Sequence, residues 1–229
     1  MNRRALVAMS GGVDSSVAAA LLLEQGYHVT GVTMRLWQES RSAPLEAISS
    51  AAQVCQQLGI RHQTVDLSAC FRQQVVDYFI DEYARGRTPN PCIRCNRHLK
   101  FGALLEKARQ QGAMLATGHY TPMIQRGGDF HLLRGLDERK DQSYFLYTLG
   151  QQELAHTLFP LGDCAKARVR EMARQRGLIV AQRDESQDVC FISDGNYRRF
   201  LREQTPQAVR PGSILLDGRV LGQHKGLPF

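Results

Sequence analysis

The chain has 229 residues, 43% of them hydrophobic, and a formal net charge of +7. That is enough apolar material for one large domain, or one domain and a fragment, but the longest apolar run, Val17 to Leu23, is far too short to span a bilayer. No secretory leader opens the sequence, so a cytoplasmic protein without membrane attachment is expected.

In chain order, Arg4 to Met9 reads as a short strand, broken by Gly11-Gly12, and Asp14 to Gln25 carries helical apolar spacing up to Gly26. His28 to Met34 predicts a second strand, Leu45 to Leu58 a helix stopped by Gly59, and His62 to Leu67 a third strand. A helix over Phe71 to Tyr83 leads into Arg85 to Lys100, which reads as a loop rich in Gly, Pro, Asn and Cys. Phe101 to Gln111 returns to helix, Met114 to Thr117 forms a fourth strand, and Tyr120 to Arg134 forms a hairpin around Gly127-Gly128. Helices fit Lys166–Arg176 and Gly195–Arg202; after a linker from Thr205 to Gly212, Ser213 to Leu221 reads as a hairpin turning at Asp217-Gly218. Strands alternating with helices predict an α/β fold with a mostly parallel sheet, Rossmann-like, covered on both faces.

Charge is uneven: residues 1–83 carry 6 basic and 8 acidic side chains, and residues 84–229 carry 23 and 14. A basic half suits a polyanionic partner, because Arg pairs phosphate oxygens and releases counterions, and it equally suits a solvated Arg-rich surface. Six cysteines in a chain expected in the cytoplasm do not predict a disulfide framework. Cys55 and Cys70 fall in helical patterns as small core residues, and Cys164 lies in a loop with no assigned role. Cys92, Cys95 and Cys190 stand apart.

The segment Ser10-Gly-Gly-Val-Asp-Ser-Ser16 joins the first strand to the first helix. Gly11 and Gly12 permit a sharp turn and close approach to a phosphate, and Ser15 and Ser16 lie at a helix N-terminus that favours an anion. Asp14 is placed to coordinate Mg²⁺ carried by a triphosphate. The segment resembles the SGGxDS pyrophosphatase (PP) loop, whose family directs attack at the α-phosphate of ATP. That loop implies the reaction class and leaves the substrate open.

Further segments narrow the substrate: Thr88-Pro-Asn-Pro-Cys-Ile-Arg-Cys-Asn96 with Lys100-Phe101, Ala116-Thr-Gly-His-Tyr120, Leu133-Arg-Gly-Leu-Asp137, Lys140-Asp-Gln-Ser-Tyr-Phe-Leu-Tyr147, Leu158-Phe-Pro-Leu-Gly162 and Asp184-Glu-Ser-Gln-Asp-Val-Cys-Phe-Ile192. Together they closely resemble the bacterial and organellar tRNA-specific 2-thiouridylases, nearly end to end. The resemblance implies an ATP-using tRNA-uridine 2-sulfurtransferase acting on the wobble uridine of tRNAs for Lys, Glu and Gln. ATP adenylates the C2 oxygen, and a cysteine persulfide, charged by a cysteine desulfurase or sulfur-relay protein, delivers sulfur as AMP leaves.

Carried over by position, the resemblance implies ATP contacts at Ala8, Met9, Ser10, Gly11, Gly12, Val13, Asp14, Ser15, Met34 and Gly118. It implies target-base contacts at Asn90, Pro91 and Cys92, and tRNA contacts at His119, Lys140, Asp141 and Gln142. Cys190 matches the persulfide cysteine and Cys95 the one that attacks it. Read without the resemblance, His119 also suits a residue capping the fourth strand, and the Lys140 run a solvated turn.

Two departures qualify the match. Many relatives carry Asp, as general base, where this chain has Cys92, so Cys92, Cys95 and Cys190 are candidate ligands of a [4Fe–4S] cluster. Zinc with His98 as fourth ligand, and metal-free persulfide and disulfide chemistry, stay open beside it. Family members also continue past His224-Lys-Gly-Leu-Pro-Phe229 into a further β-rich domain, so residues 1–204 are expected to form the ATP-binding and thiolation domain and 205–229 a linker and the start of a central β domain. A small-molecule adenylating synthetase and a catalytically silent ATP- or tRNA-binding chain are the alternative functions; the former leaves the three cysteines unexplained.

Overall fold

The computed structural model describes residues 3–38, 43–183 and 189–229. Five strands, β1 (Arg4–Ala8), β2 (His28–Arg35), β3 (Arg61–Asp66), β4 (Met114–Ala116) and β7 (Thr157–Leu158), pair in the order β3-β2-β1-β4-β7, every pair parallel. In the central strand Ala5, Leu6 and Val7 are all buried, as a strand covered on both faces requires. Pairing registers Ala5 with Val29 on one side and with Met114 on the other. The sequence reading placed β1 to β4 and missed β7, whose two residues are too few to show a period.

Apolar side chains from the helices Val13–Glu24, Ala43–Gln57 and Lys166–Gln175 share one core with Ala5, Val7 and Val29. On the other side Phe101, Leu104, Leu105 and Ala108 pack with Leu6, Val32 and Leu115. Cys55 lies fully buried in the first core, as expected, and burial pushes its thiol up to about 11. Gly31 lets that helix close on β2: a Cβ there would collide with Cys55 Sγ and reach Met9 Cγ at 3.1 Å.

The largest correction concerns the predicted loop from Arg85 to Lys100. Residues 91–110 form continuous helix: α-helical over Pro91–Cys95, π-helical over Asn96–Leu104 and α-helical over Leu105–Gln110. Asn90 caps it, its side-chain oxygen accepting from the Cys92 N–H at 3.1 Å, and Pro91 occupies the first turn, where its missing N–H costs nothing. A neighbouring helical run over residues 68–84 is also π-helical at Arg72–Asp77.

A separate aromatic cluster packs Phe71 and Phe79 against Phe191 and Phe200, with centroids 5.3 to 6.2 Å apart. It pins residues 189–204, including the helix Tyr197–Gln204, onto the 68–84 run. Both predicted hairpins form: β5 (Met123–Arg126) with β6 (Asp129–Leu132), and β8 (Gly212–Leu216) with β9 (Arg219–His224). Their turns place Gly127 and Gly128, and Asp217 and Gly218, at positive φ, matching the mirror-image turn that tight hairpins favour. Among the described residues no helix is long and apolar enough to cross a membrane.

Candidate active site

Strands β2 and β4 lie on opposite sides of β1, so the chain reverses its order along the sheet between β1 and β4. Crevices beyond the carboxyl ends of strands at such a point are where open α/β sheets bind ligands. The segments following β1 and β4 meet here. A Cβ on Gly118 would lie 3.0 Å from Ser15 N and from Asp14 C, so only glycine allows this approach without displacing the loop backbone.

The loop is held in shape by its own side chains. Ser10 N–H donates to Ser15 Oγ at 3.1 Å, and Ser16 Oγ donates to the Gly12 carbonyl at 2.7 Å. Gly11 has φ +73, and its carbonyl accepts from Ser50 Oγ and from Arg183 Nη1 at 3.0 and 2.8 Å. Gly12 begins the helix Val13–Glu24 and provides no side-chain cap. The first N–H groups of this twelve-residue helix lack partners within the helix, an arrangement that favours an anion. The side chains of Met9 and Val13 are buried in the core, and the Met9 N–H donates to the Val32 carbonyl at 2.8 Å. Ala8 and Met34 are half-buried at the same strand ends.

The Asp14 carboxylate is engaged by two side chains. Lys166 Nζ donates to its two oxygens at 2.6 and 2.8 Å, and Tyr120 Oη donates at 2.6 Å. The carboxylate expected to meet Mg²⁺ thus carries an ion pair that sets a lysine beside the loop. Lys166 went unnoticed in the sequence because 152 residues separate the two partners.

The cysteines lie one step further along the same wall. His119, directly after Gly118, is 6% exposed. Lys100 Nζ lies 3.4 Å from His119 Nε2, and Thr117 Oγ1 lies 2.7 Å from Nδ1. With the ammonium donating to Nε2, the ring proton sits on Nδ1 and is donated to Thr117. Burial, reinforced by the Lys100 charge, holds His119 well below the usual histidine range, so the ring is neutral. The tRNA contact expected of His119 thus falls on an enclosed ring with both nitrogens engaged.

Cys92 and Cys190 are exposed as residues, yet their thiols border enough protein for desolvation to dominate. Burial pushes the Cys92 and Cys95 thiols up, with Lys100 opposing in both cases, and Cys92 and Cys70 raising Cys95 further. Burial likewise pushes Cys190 up to about 12, with Cys95 and Cys92 adding and Lys100 opposing. The three cysteines therefore share one neighbourhood, and Cys70, expected as plain core, borders it. Among the described residues no group of three His, Cys, Asp or Glu is placed to hold a single metal ion. Burial, with the Arg94 and Arg97 charges adding, holds His98 below the usual histidine range, and among the described residues its Nε2 is buried without a hydrogen-bond partner.

The run Lys140-Asp141-Gln142 holds a turn. Gln142 Oε1 accepts from Tyr120 N–H at 3.1 Å, and Asp141 Oδ1 accepts from the Gly135 and Ser143 N–H groups. The turn is tied to the cysteine helix, because Asn96 Nδ2 donates to the Phe145 carbonyl at 3.1 Å. Residues 184–188 of the acidic motif before Cys190 lie outside the described residues.

Residues 3–194 match the family model of the tRNA methyl transferase HUP domain. The chain belongs to that family. Among its relatives, the tRNA-specific 2-thiouridylase MnmA of Chloroflexus aurantiacus is 53% identical over 234 residues, covering 98% of this chain and 65% of that protein. The protein of the same name from Carboxydothermus hydrogenoformans is 47% identical over 240 residues, covering 99% and 66%. The chain thus spans slightly less than two thirds of the length of these curated relatives. The U34-tRNA thiolase NcsA of Methanococcus maripaludis, solved with its [4Fe-4S] cluster, shares 19% identity at a TM-score of 0.54, covering 90% of this chain and 65% of that one. The NMN synthetase of Francisella tularensis shares 17% at 0.53, covering 81% and 66%. At these identities the two structures bear on the fold alone, and they agree with the Rossmann-like arrangement seen in this family member.

Proposed function

We propose that this chain is the ATP-binding and sulfur-transfer part of a cytoplasmic enzyme that 2-thiolates the wobble uridine of tRNAs for Lys, Glu and Gln. One observation carries the reading. Residues 117–120 touch the phosphate loop through Gly118 and Tyr120, and touch Lys100 of the cysteine helix through His119. A site for anion activation and a cluster of thiols therefore share one wall, which sulfur substitution of an activated oxygen requires and a small-molecule synthetase does not.

In this reading the triphosphate of ATP lies on the N–H groups that open the helix Val13–Glu24, with Mg²⁺ arriving as its counter-ion. The residues Ala8 to Ser15, Met34 and Gly118 surround the nucleotide, and Asn90, Pro91 and Cys92 border the uracil. The C2 oxygen attacks the α-phosphorus and pyrophosphate departs. This turns a poor leaving oxygen into AMP. A cysteine desulfurase or sulfur-relay protein charges Cys190 as a persulfide. Its outer sulfur attacks C2, and the C2–O bond breaks with its electron pair on AMP. Cys95 thiolate then attacks Cys190 Sγ, breaking the bond to the outer sulfur, which keeps the pair and remains on C2. The resulting Cys95–Cys190 disulfide is reopened by a thiol reductant. In this reading no step passes through a metal.

The deciding experiment is chromatography of tRNA nucleosides from a strain lacking 2-thiouridine and complemented with this chain. Restored 2-thiouridine is the expected result. If Cys190→Ser restores it equally well, the sulfur-transfer assignment fails.

A further inference from the structure

At the end of the sheet opposite the phosphate loop, a cleft of about 640 Å³ opens beside the first residues of the strands. Arg4 begins β1, Met114 begins β4 and His156 directly precedes β7, and all three line it together with Arg3, Tyr27 and Arg109. The five residues of β1, at about 3.3 Å each, separate this cleft from the crevice beyond Ala8 by roughly 16 Å. It is therefore distinct from the loop and the cysteines described above.

Three guanidinium groups border the cleft and no acidic side chain does. Among the described residues no carboxylate pairs with Arg3, Arg4 or Arg109. The Arg3 guanidinium lies 5.7 Å from the Tyr27 ring centroid, and the Arg3 carbonyl accepts from the His28 N–H at 2.8 Å. Arg109, in the last turn of the helix Leu105–Gln110, donates through Nη2 to the Gln152 carbonyl at 2.8 Å. One arm of its fork is thus fixed, while among the described residues its Nε is buried without a partner. A buried charged donor left unsatisfied is costly, and like charges sharing a cleft repel one another. A bound anion offsets the repulsion and brings acceptor oxygens to the Arg109 fork. Guanidinium forks match phosphate and carboxylate oxygens alike. Three of them exceed what the two oxygens and single charge of one carboxylate can satisfy, whereas a phosphomonoester, or neighbouring phosphodiesters of an RNA, supplies more of both.

We propose that the cleft at the amino ends of β1 and β4 is a second anion site, in which Arg3, Arg4 and Arg109 take phosphate. The ligand is either a free phosphate compound or the backbone of an RNA, and the two sources are separable by experiment. The inference goes beyond the sulfur-transfer reading and does not depend on it, because no residue of the loop or of the cysteine cluster lines the cleft.

The test uses the full chain labelled with nitrogen-15, titrated at constant ionic strength with inorganic phosphate and, separately, with a short oligouridylate. The Arg109 Nε–H resonance reports the cleft, and the Gly12 amide reports the phosphate loop in the same spectra. The Arg109 signal is expected to shift and saturate with at least one of the two probes. Arg3→Gln and Arg4→Gln, both exposed and outside the core, are each expected to weaken that binding about tenfold while leaving the Gly12 response unchanged. Saturation by phosphate alone assigns a free phosphate compound. Saturation by the oligouridylate, with a salt slope that falls by about one for each arginine removed, assigns the RNA backbone. An Arg109 signal that moves with neither probe overturns the proposal, as does one that responds equally in wild type and in both Gln variants.

Discussion

Asp14 shows how one side chain can satisfy a sequence motif and do something the motif does not announce. Its carboxylate binds Lys166 and Tyr120, so it organises two further groups at the mouth of the phosphate loop. Asp14→Ala is expected to abolish tRNA-dependent pyrophosphate release and also to lower the melting temperature, since a charged hydrogen bond of this kind contributes about 1.5–3 kcal/mol. Asp14→Asn keeps an acceptor for Tyr120 and Lys166, so it should fold nearly normally and still fail to release pyrophosphate. Near-normal release by either variant would remove Asp14 from the mechanism. Cys92 invites a second test. In the metal-free route it stands where many relatives have an Asp, so Cys92→Asp should be tolerated, the carboxylate serving as base, and Cys92→Ser should be only mildly impaired. Loss of all activity together with a brown chromophore, in protein purified without oxygen, would restore the cluster reading.

At the scale of elements, two packing choices place the chemistry. The first is the close approach of the helix Ala43–Gln57 to β2 at Gly31. Gly31→Ala should destabilise the fold by about 1–3 kcal/mol through overpacking against Cys55. Adding Cys55→Ala should recover part of that loss, a non-additivity that urea denaturation of the four proteins would measure; strictly additive effects would contradict the contact. The second is the helix that starts at Asn90. The Asn-Pro pair at its start is a legible N-terminal signal, overlooked because Gly86, Pro89 and two cysteines gave the surrounding stretch the composition of a loop. The π-helical winding that follows has no comparable signature, because it depends on what the helix packs against.

On the scale of the whole molecule, the sheet brings together segments far apart in sequence, and the uneven charge bears on its partner. Binding to tRNA is expected to weaken steeply with salt, the logarithm of the affinity falling linearly with the logarithm of salt concentration. Lys140→Ala should reduce that slope by about one while leaving ATP binding unchanged. Filter binding over a salt series would check both, and affinity independent of salt would refute the polyanion argument. Gln142, by contrast, holds Tyr120, so its replacement would report on the turn as much as on RNA.

Periodicity and punctuation were local enough to be read directly. Apolar runs marked β1 to β4, Gly127-Gly128 and Asp217-Gly218 marked the hairpins, and Ser10 to Ser16 marked the tight strand-to-helix turn, because each depends on backbone preferences of a few neighbouring residues. Only the folded chain could show that Lys166 pairs with Asp14, that His119 is enclosed and grips Lys100, and that Phe191 packs against Phe71 and Phe79 beside Cys190. Each of these joins residues separated by tens of positions or more, or depends on burial that the surrounding elements create. Composition and spacing record what a residue can do; its partner and its solvent exposure, which set the charge of His119 and the thiols, are decided by packing.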